Sequence, residues 1–153
     1  MEMKKEKDQF NELNKFLSYI HMGNETFRIY YKQSDKMENE SLKKLIVDTQ
    51  ETFKKHEEEI SSYIASKGYT PSDSLTMAGE MGVLYEKLKM TDSSFDVCNN
   101  AIKAINMGEL NSIKFLHENN ELPEEVKHKV LDVLEDYKRI RSEYNDYLLQ
   151  NYC

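Results

Sequence analysis

The sequence has few residues that interrupt a helix. Its 153 residues include only two prolines and five glycines, and there is no tryptophan. All-β sandwiches and barrels need turns about every 8 to 12 residues, and those turns are rich in glycine and proline. The shortage of both residue types argues against such folds and favours a small number of long helices.

Cysteine and long apolar runs are also scarce. Cys98 and Cys153 form neither a disulfide framework nor a Cys-x-x-Cys metal motif, so we expect a reducing, cytoplasmic setting. Cys153 could form an intermolecular disulfide if it meets an oxidant. No apolar run approaches the roughly 18 residues of a membrane span, and no apolar core follows the charged first residues, so we expect neither a membrane helix nor a secretory signal.

Basic residues are fewer than acidic residues. Lys and Arg total 21 against 28 Asp and Glu, which gives a net charge of -7. Such a balance argues against binding to nucleic acid or to an anionic membrane surface. The sequence also contains no glycine-rich phosphate loop and no Gly-x-Ser-x-Gly nucleophile motif. Composition and motifs therefore indicate no common enzyme class.

Apolar residues recur at spacings of three and four, which predicts amphipathic helices. Four long helices are predicted, over residues 8–36, 41–67, 93–118 and 123–150. Their core-facing stripes run from Phe10 to Tyr31, from Leu42 to Tyr63, from Phe95 to Leu116 and from Val126 to Leu148. Each apolar stripe must be buried against other apolar surface. Four such helices can bury their stripes against one another in a bundle.

The ends of these helices carry recognisable signals. Asn39 or Ser41 is suited to cap the second helix, and Thr91, Asp92 or Ser93 the third. Gly68 is a suitable stop for the second helix. Pro123 is suited to the first position of the fourth.

The lengths of the connections predict the topology. The first and last pairs of helices have short connections, so each pair forms an antiparallel hairpin. About two dozen residues join the two hairpins, and residues 75–89 within them predict a shorter helix. The chain is thus predicted to be one domain over residues 1–153, an all-α four-helix bundle with one long crossover, which is the ferritin-like connection.

A short internal repeat supports duplication of the hairpin. The first helix contains Met22-Gly23-Asn24, and the third contains Met107-Gly108-Glu109. Glycine inside a helix costs ~1 kcal/mol relative to alanine. The two glycines therefore predict close backbone packing at the centre of the bundle, with chance as the alternative explanation.

These features resemble the ferritin-like superfamily, nearest to rubrerythrin-type domains, over nearly the whole chain. The segment from residue 74 to residue 92, and Leu122-Pro123-Glu124-Glu125-Val126, are similar to bacterial ferritin-like domains with no assigned activity. Ferritin-like members with a di-iron site supply one Glu from each of two helices and a Glu-x-x-His pair from each of the other two. The resemblance implies which positions of this sequence correspond to those ligands.

Only two of the six implied ligands are present, namely Glu109 and His56. Asn24 replaces the Glu of the first helix, and Phe53 stands three residues before His56 where a Glu is needed. In the last helix, Tyr137 and Ile140 occupy the Glu-x-x-His positions. The resemblance therefore implies a ferritin-like scaffold whose di-iron site has been lost.

In place of the metal, we predict a buried polar cluster in which Asn24, His56 and Tyr137 surround Glu109. A buried carboxylate is costly unless it is paired, protonated or bound to a metal, and those three side chains can donate hydrogen bonds to it. The cluster is expected to be structural, and a small-ligand or proton site is the alternative. A mononuclear metal site of Glu25, His56 and Glu109 is a further alternative.

The resulting functional hypothesis is a non-enzymatic scaffold or interaction protein, with no cofactor expected. A homodimer through a helix face is compatible with it. The alternatives are a residual iron or other divalent-metal oxidase or peroxidase of rubrerythrin type, and a small-ligand binder that uses the vacated core. His21 and Glu25, four residues apart, are interpreted as a surface hydrogen bond rather than a divalent-cation clip.

Overall fold

The computed structural model describes the backbone of residues 2–73 and 93–153, and side chains from residue 5 onward. This part of the chain consists of helices without a strand. The helices are α1 (Glu2–Lys36), α2 (Glu40–Ser66), α3 (Ser94–Glu118) and α4 (Glu124–Tyr152). The four long predicted helices are present, and the first begins six residues earlier than predicted. The shorter helix predicted at 75–89 lies outside the described residues.

Capping side chains define where the helices begin. Asn39 accepts a hydrogen bond from the Leu42 amide at 3.1 Å, and Ser93 accepts one from the Asp96 amide at 3.1 Å. Both satisfy donors that the first turn of a helix leaves free. Pro123 differs slightly from its prediction, because it stands just before α4 and not at its first position.

The predicted stripes form the core. The buried side chains include Phe10, Leu13, Phe16, Leu17, Ile20, Phe27 and Tyr30 in α1; Leu42, Ile46, Phe53, Ile60, Tyr63 and Ile64 in α2; Val97, Cys98, Ile105 and Phe115 in α3; and Val126, Val130, Val133, Tyr137, Ile140, Tyr144 and Tyr147 in α4. Phe95 is the exception, with 42% of its surface exposed. It lies in the first turn of α3 and packs edge-on against Tyr152, with ring centroids 5.4 Å apart.

Side-chain contacts show that the helices within each hairpin run antiparallel and that the hairpins also face each other antiparallel. The Phe95–Tyr152 contact joins the start of α3 to the end of α4. Phe10 near the start of α1 stacks on Tyr63 near the end of α2. Phe16 of α1 meets Phe115 near the end of α3, with centroids 5.0 Å apart. The Thr49 and Tyr144 hydroxyls, 2.9 Å apart, join α2 to α4.

The residues that follow α2 return along α1. Tyr69 stacks on Phe10 with centroids 4.4 Å apart, and the Asn14 amide donates to the Thr70 carbonyl at 2.9 Å. Further along α1, the hydroxyls of Ser18 and Ser72 lie 2.7 Å apart. Residues 69–72 thus advance from the start of α1 toward its middle.

The third helix begins at the opposite end of the bundle from the end of α2. The Asn39 amide, in the turn between α1 and α2, donates to the Ser94 hydroxyl at 2.9 Å. Ser66 lies at the other end, where α1 and α4 begin. None of the described helices is long and apolar enough to cross a membrane.

Candidate functional site

Tyr137 is one of two buried residues among the four predicted to form a polar cluster, the other being His56. Tyr137 is 9% exposed, and its ring stacks on Phe53 of α2 with centroids 4.4 Å apart. The end of the ring rests on α3 at Gly108. A Cβ atom added to Gly108 would lie 2.2 Å from the Tyr137 Cζ atom. Close packing at Gly108 is therefore confirmed, although a side chain rather than a backbone approaches it.

The hydroxyl of Tyr137 forms no hydrogen bond with a described residue. Burial raises the pKa of this phenol above its ordinary value, because the charged form would lose its hydration. Tyr137 is accordingly a neutral side chain at physiological pH. It keeps one donor and one acceptor available at the oxygen.

His56 is buried on α2, as its position in the stripe predicts, but its partner is an acid that the sequence analysis did not single out. The His56 Nε2 atom lies 2.6 Å from an Asp136 carboxylate oxygen. Phe53, with its ring centroid 5.8 Å from that of His56, lies between His56 and Tyr137. His56, Phe53 and Tyr137 thus form a row of rings between α2 and α4.

Glu109 also has a partner outside the predicted cluster. One of its carboxylate oxygens accepts from the Arg141 guanidinium at 3.3 Å, and the side chain is 12% exposed. The other oxygen, Oε1, is buried without a hydrogen bond, and so is the Nδ2 atom of Asn24. Buried polar atoms are usually hydrogen-bonded, so each of these two atoms is an exception.

No hydrogen bond within the described ranges joins two of Asn24, His56, Glu109 and Tyr137. The third residue of the alternative metal site, Glu25, pairs with Arg28 on the same helix at 3.2 Å. Across residues 5–73 and 93–153, no group of three or more His, Cys, Asp or Glu side chains is placed to hold a metal ion. His56 and Tyr137 share a ring contact with Phe53, whereas Glu109 pairs with Arg141.

His21 was interpreted as a surface residue paired with Glu25, and this interpretation was wrong. It is 8% exposed, and its Nδ1 atom contacts the carboxylate of Glu57 on α2. Its Nε2 atom lies 2.9 Å from the Ser72 carbonyl oxygen. Burial lowers the pKa of His21, but the hydrogen bonds to Glu57 and Ser72 and the charges of Glu57 and Asp73 outweigh it, so the pKa is raised.

A cavity of about 310 Å³ lies between α1 and α3, and we call it the α1–α3 cavity. Its walls are largely apolar, and it is partly open to solvent. The lining includes Phe16, Ile20, Ala104 and Met107, and the end of the Tyr137 ring also reaches it.

Gly23 and Gly108 line opposite walls of the α1–α3 cavity. A Cβ atom added to Gly23 would meet nothing within 4 Å. The predicted close packing at Gly23 was therefore wrong, because this glycine borders open space.

Comparison of the chain with protein-family models, with curated proteins and with solved structures gives no match.

Proposed function

We propose that this chain is a non-enzymatic, ferritin-like scaffold or interaction protein in which the di-iron site has been lost. The observation that carries the proposal is the pairing of the residues at the implied ligand positions. Glu109 binds Arg141, and Tyr137 stacks on Phe53. A guanidinium beside the carboxylate supplies the positive charge that a cation would otherwise supply. Phe53, on which Tyr137 stacks, has no atom that can bind a metal.

The arrangement of the helices supports the ferritin-like part of the proposal. Each helix is antiparallel to both of its neighbours, and Ser66 and Ser94 lie at opposite ends of the bundle. A connection between those residues that spans the length of the bundle is the ferritin-like crossover, whereas an up-and-down bundle joins neighbouring ends.

An apolar strip on the outside of α3 supports the interaction part. Met107, Leu110 and Ile113 are 62%, 64% and 49% exposed, and they lie within two turns of one helix. Grouped exposed apolar side chains are typical of protein contact surfaces. We propose that a second copy of the chain covers this strip.

Sedimentation velocity over a concentration series tests the dimer. The double substitution Leu110→Ser with Ile113→Ser is expected to shift the protein to the monomer. Leu149→Ser removes an equally exposed leucine (61%) from α4, and it serves as the matched control because it should leave the association unchanged. A monomer at all concentrations in the unsubstituted protein would contradict the dimer.

Metal analysis tests the loss of the di-iron site. The protein is purified without chelator, its metal content is measured, and Fe(II) is added while oxygen uptake is followed. We expect substoichiometric metal and no catalysed oxidation. About two irons per chain, with oxidation that Glu109→Ala abolishes, would instead identify a di-iron enzyme with unusual ligands.

One observation favours the alternative of a residual metal-binding oxidase or peroxidase. The Oε1 atom of Glu109 is buried without a hydrogen bond, which leaves a lone pair for a divalent cation. The same titration distinguishes the two functions, because a mononuclear site would take up about one iron per chain and lose it on Glu109→Ala.

A further inference from the structure

We propose that the α1–α3 cavity binds a small amphipathic carboxylate with an apolar body about the size of two fused aromatic rings. This site lies on the seam between α1 and α3. Of the implied metal-ligand positions, Tyr137 reaches it, whereas Glu109 and His56 do not line it. The proposal does not depend on whether the chain is a scaffold or an oxidase.

The size and walls of the cavity define the apolar part of the ligand. An apolar cavity of roughly 150 Å³ holds one benzene molecule, and this one has about 310 Å³. Phe16 and Ile20 of α1 and Ala104 and Met107 of α3 form much of its wall. Aromatic and methionine side chains adapt well to flat apolar ligands.

Tyr137 supplies a polar group at the inner end of the cavity. Its ring is nine-tenths buried and passes over Gly108, where its end reaches the cavity. Its hydroxyl has no hydrogen-bond partner among the described residues, and the residue lines the cavity, so the oxygen is available to a molecule bound there. Since the phenol is neutral at physiological pH, it can donate to an oxygen of a bound molecule.

Lys103 sets the charge preference. It lines the α1–α3 cavity, is exposed, and forms no ion pair with a described residue. None of the described residues that line the cavity is acidic, although the chain as a whole carries a net charge of -7. A single cation at the edge of an apolar cavity favours a ligand with one anionic group.

Gly23 keeps the cavity open. Glycine in the middle of a helix is unfavourable, and nothing within 4 Å of a Cβ atom at this position requires it. Its lack of a side chain has a different consequence, because a larger residue here would project into the space. The glycine thus leaves volume in the cavity that a larger side chain would fill.

Titration with 2-naphthoate, followed by fluorescence and calorimetry at pH 7.5, tests the site. We expect saturable binding of one molecule per chain, with a Kd on the order of 100 μM for a ligand of this size. Gly23→Leu fills the cavity from α1 and should weaken binding at least tenfold. Ala104→Leu fills it from α3 and should do the same, so the test does not depend on a single variant folding.

The matched ligand 2-naphthamide isolates the role of charge. Lys103→Gln should weaken 2-naphthoate about fivefold and leave 2-naphthamide unchanged. Tyr137→Phe should weaken both ligands because both accept a hydrogen bond. Leu131→Ser, which removes an exposed leucine of α4 outside the cavity, is the control for adsorption to apolar surface and should change neither.

Three results would overturn the proposal. The first is no saturable uptake of 2-naphthoate by the unsubstituted protein up to millimolar concentration. The second is unchanged binding by folded Gly23→Leu and Ala104→Leu proteins. The third is binding of 2-naphthamide that is as tight as that of 2-naphthoate and equally weakened by Lys103→Gln, which would remove the assignment of an anionic ligand. Circular dichroism of each variant establishes that it is folded.

Discussion

Gly23 and Gly108 show how the same residue serves different purposes in two matching helices. Each follows a methionine in the middle of the first helix of a hairpin. Gly108 lies under the ring of Tyr137, whereas Gly23 borders the α1–α3 cavity. The sequence repeat could not distinguish them, because the difference depends on which side chain the neighbouring helix presents.

Alanine substitution at the two glycines should therefore have opposite effects. Gly108→Ala is expected to lower the free energy of unfolding by about 1–3 kcal/mol, because the added methyl overlaps the Tyr137 ring and overpacking outweighs helix propensity. Gly23→Ala should raise it by about 0.5–1 kcal/mol, because it meets no neighbour. Urea unfolding followed by circular dichroism measures both, and stabilisation by Gly108→Ala would contradict the close packing.

The sequence analysis identified the residues of the predicted polar cluster from their positions in the stripes. It did not identify the residues with which their side chains form hydrogen bonds. Periodicity places His56 and Tyr137 on buried faces, and both are buried. It does not give the offset of one helix against another, which brings Asp136 to His56 and Arg141 to Glu109. Arg141 and Asp136 each stand one position from a core residue, so a search of stripe positions alone misses them.

At the scale of elements, His21 joins three segments. Its two ring nitrogens face the Glu57 carboxylate of α2 and the Ser72 carbonyl after α2, while the ring belongs to α1. Both neighbours are acceptors, so the protonated imidazole can donate to both at once. The sequence analysis placed His21 at the surface because Ser72, which contacts it, lies outside the helices and contributes nothing to the helical periodicity.

This contact predicts a pH dependence of stability. The pKa of His21 is raised above 6.5 in the folded protein, so the contribution of its protonated form is complete below pH 6.5 and is lost as the pH rises through the folded pKa. His21→Gln is expected to cost about 1–2 kcal/mol at pH 6 and progressively less at higher pH. Urea unfolding at a series of pH values from 5.5 to 8.5 measures the difference.

Glu57→Gln is the companion variant for that measurement. It removes the carboxylate that favours the protonated imidazole and keeps the size of the side chain. It should therefore flatten the same part of the stability profile. If the difference between the unsubstituted protein and His21→Gln stayed constant across this pH range, the charged contact would be excluded.

At the scale of the molecule, the positions of the helix ends can be measured in solution. Ser66→Cys with Asp96→Cys, in a Cys153→Ser background, places spin labels at opposite ends of the bundle. With a rise of 1.5 Å per residue, helices of this length predict a separation of about 35–45 Å by pulsed electron paramagnetic resonance. Cys98 can stay, because burial raises the pKa of its thiol to about 12 and it should resist labelling.

A second pair of labels provides the control. Ser66→Cys with Glu124→Cys joins the end of α2 to the start of α4, which share one end of the bundle, so the distance should be below about 25 Å. If the Ser66–Asp96 pair also gave a short distance, α3 would begin beside the end of α2, and the arrangement would be an up-and-down bundle.

The sequence predicted the number of long helices, their caps and most of the core, because each depends on residues close together in the chain. Asn39 and Ser93 cap their helices through local hydrogen bonds, and the stripes follow the helical repeat. The α1–α3 cavity could not be predicted, because its shape depends on contacts between three helices. Phe95 shows the limit of periodicity, since it keeps the core phase but lies where its neighbours leave it exposed.

The antiparallel arrangement of all neighbouring helices also shapes the electric field around the molecule. Each helix carries a dipole equivalent to roughly half a charge at either end, and here both neighbours of every helix oppose it. Each end of the bundle presents two positive and two negative poles, which largely cancel at a distance. An approaching ion therefore meets a field set by the side chains, with their net charge of -7, rather than by the backbone.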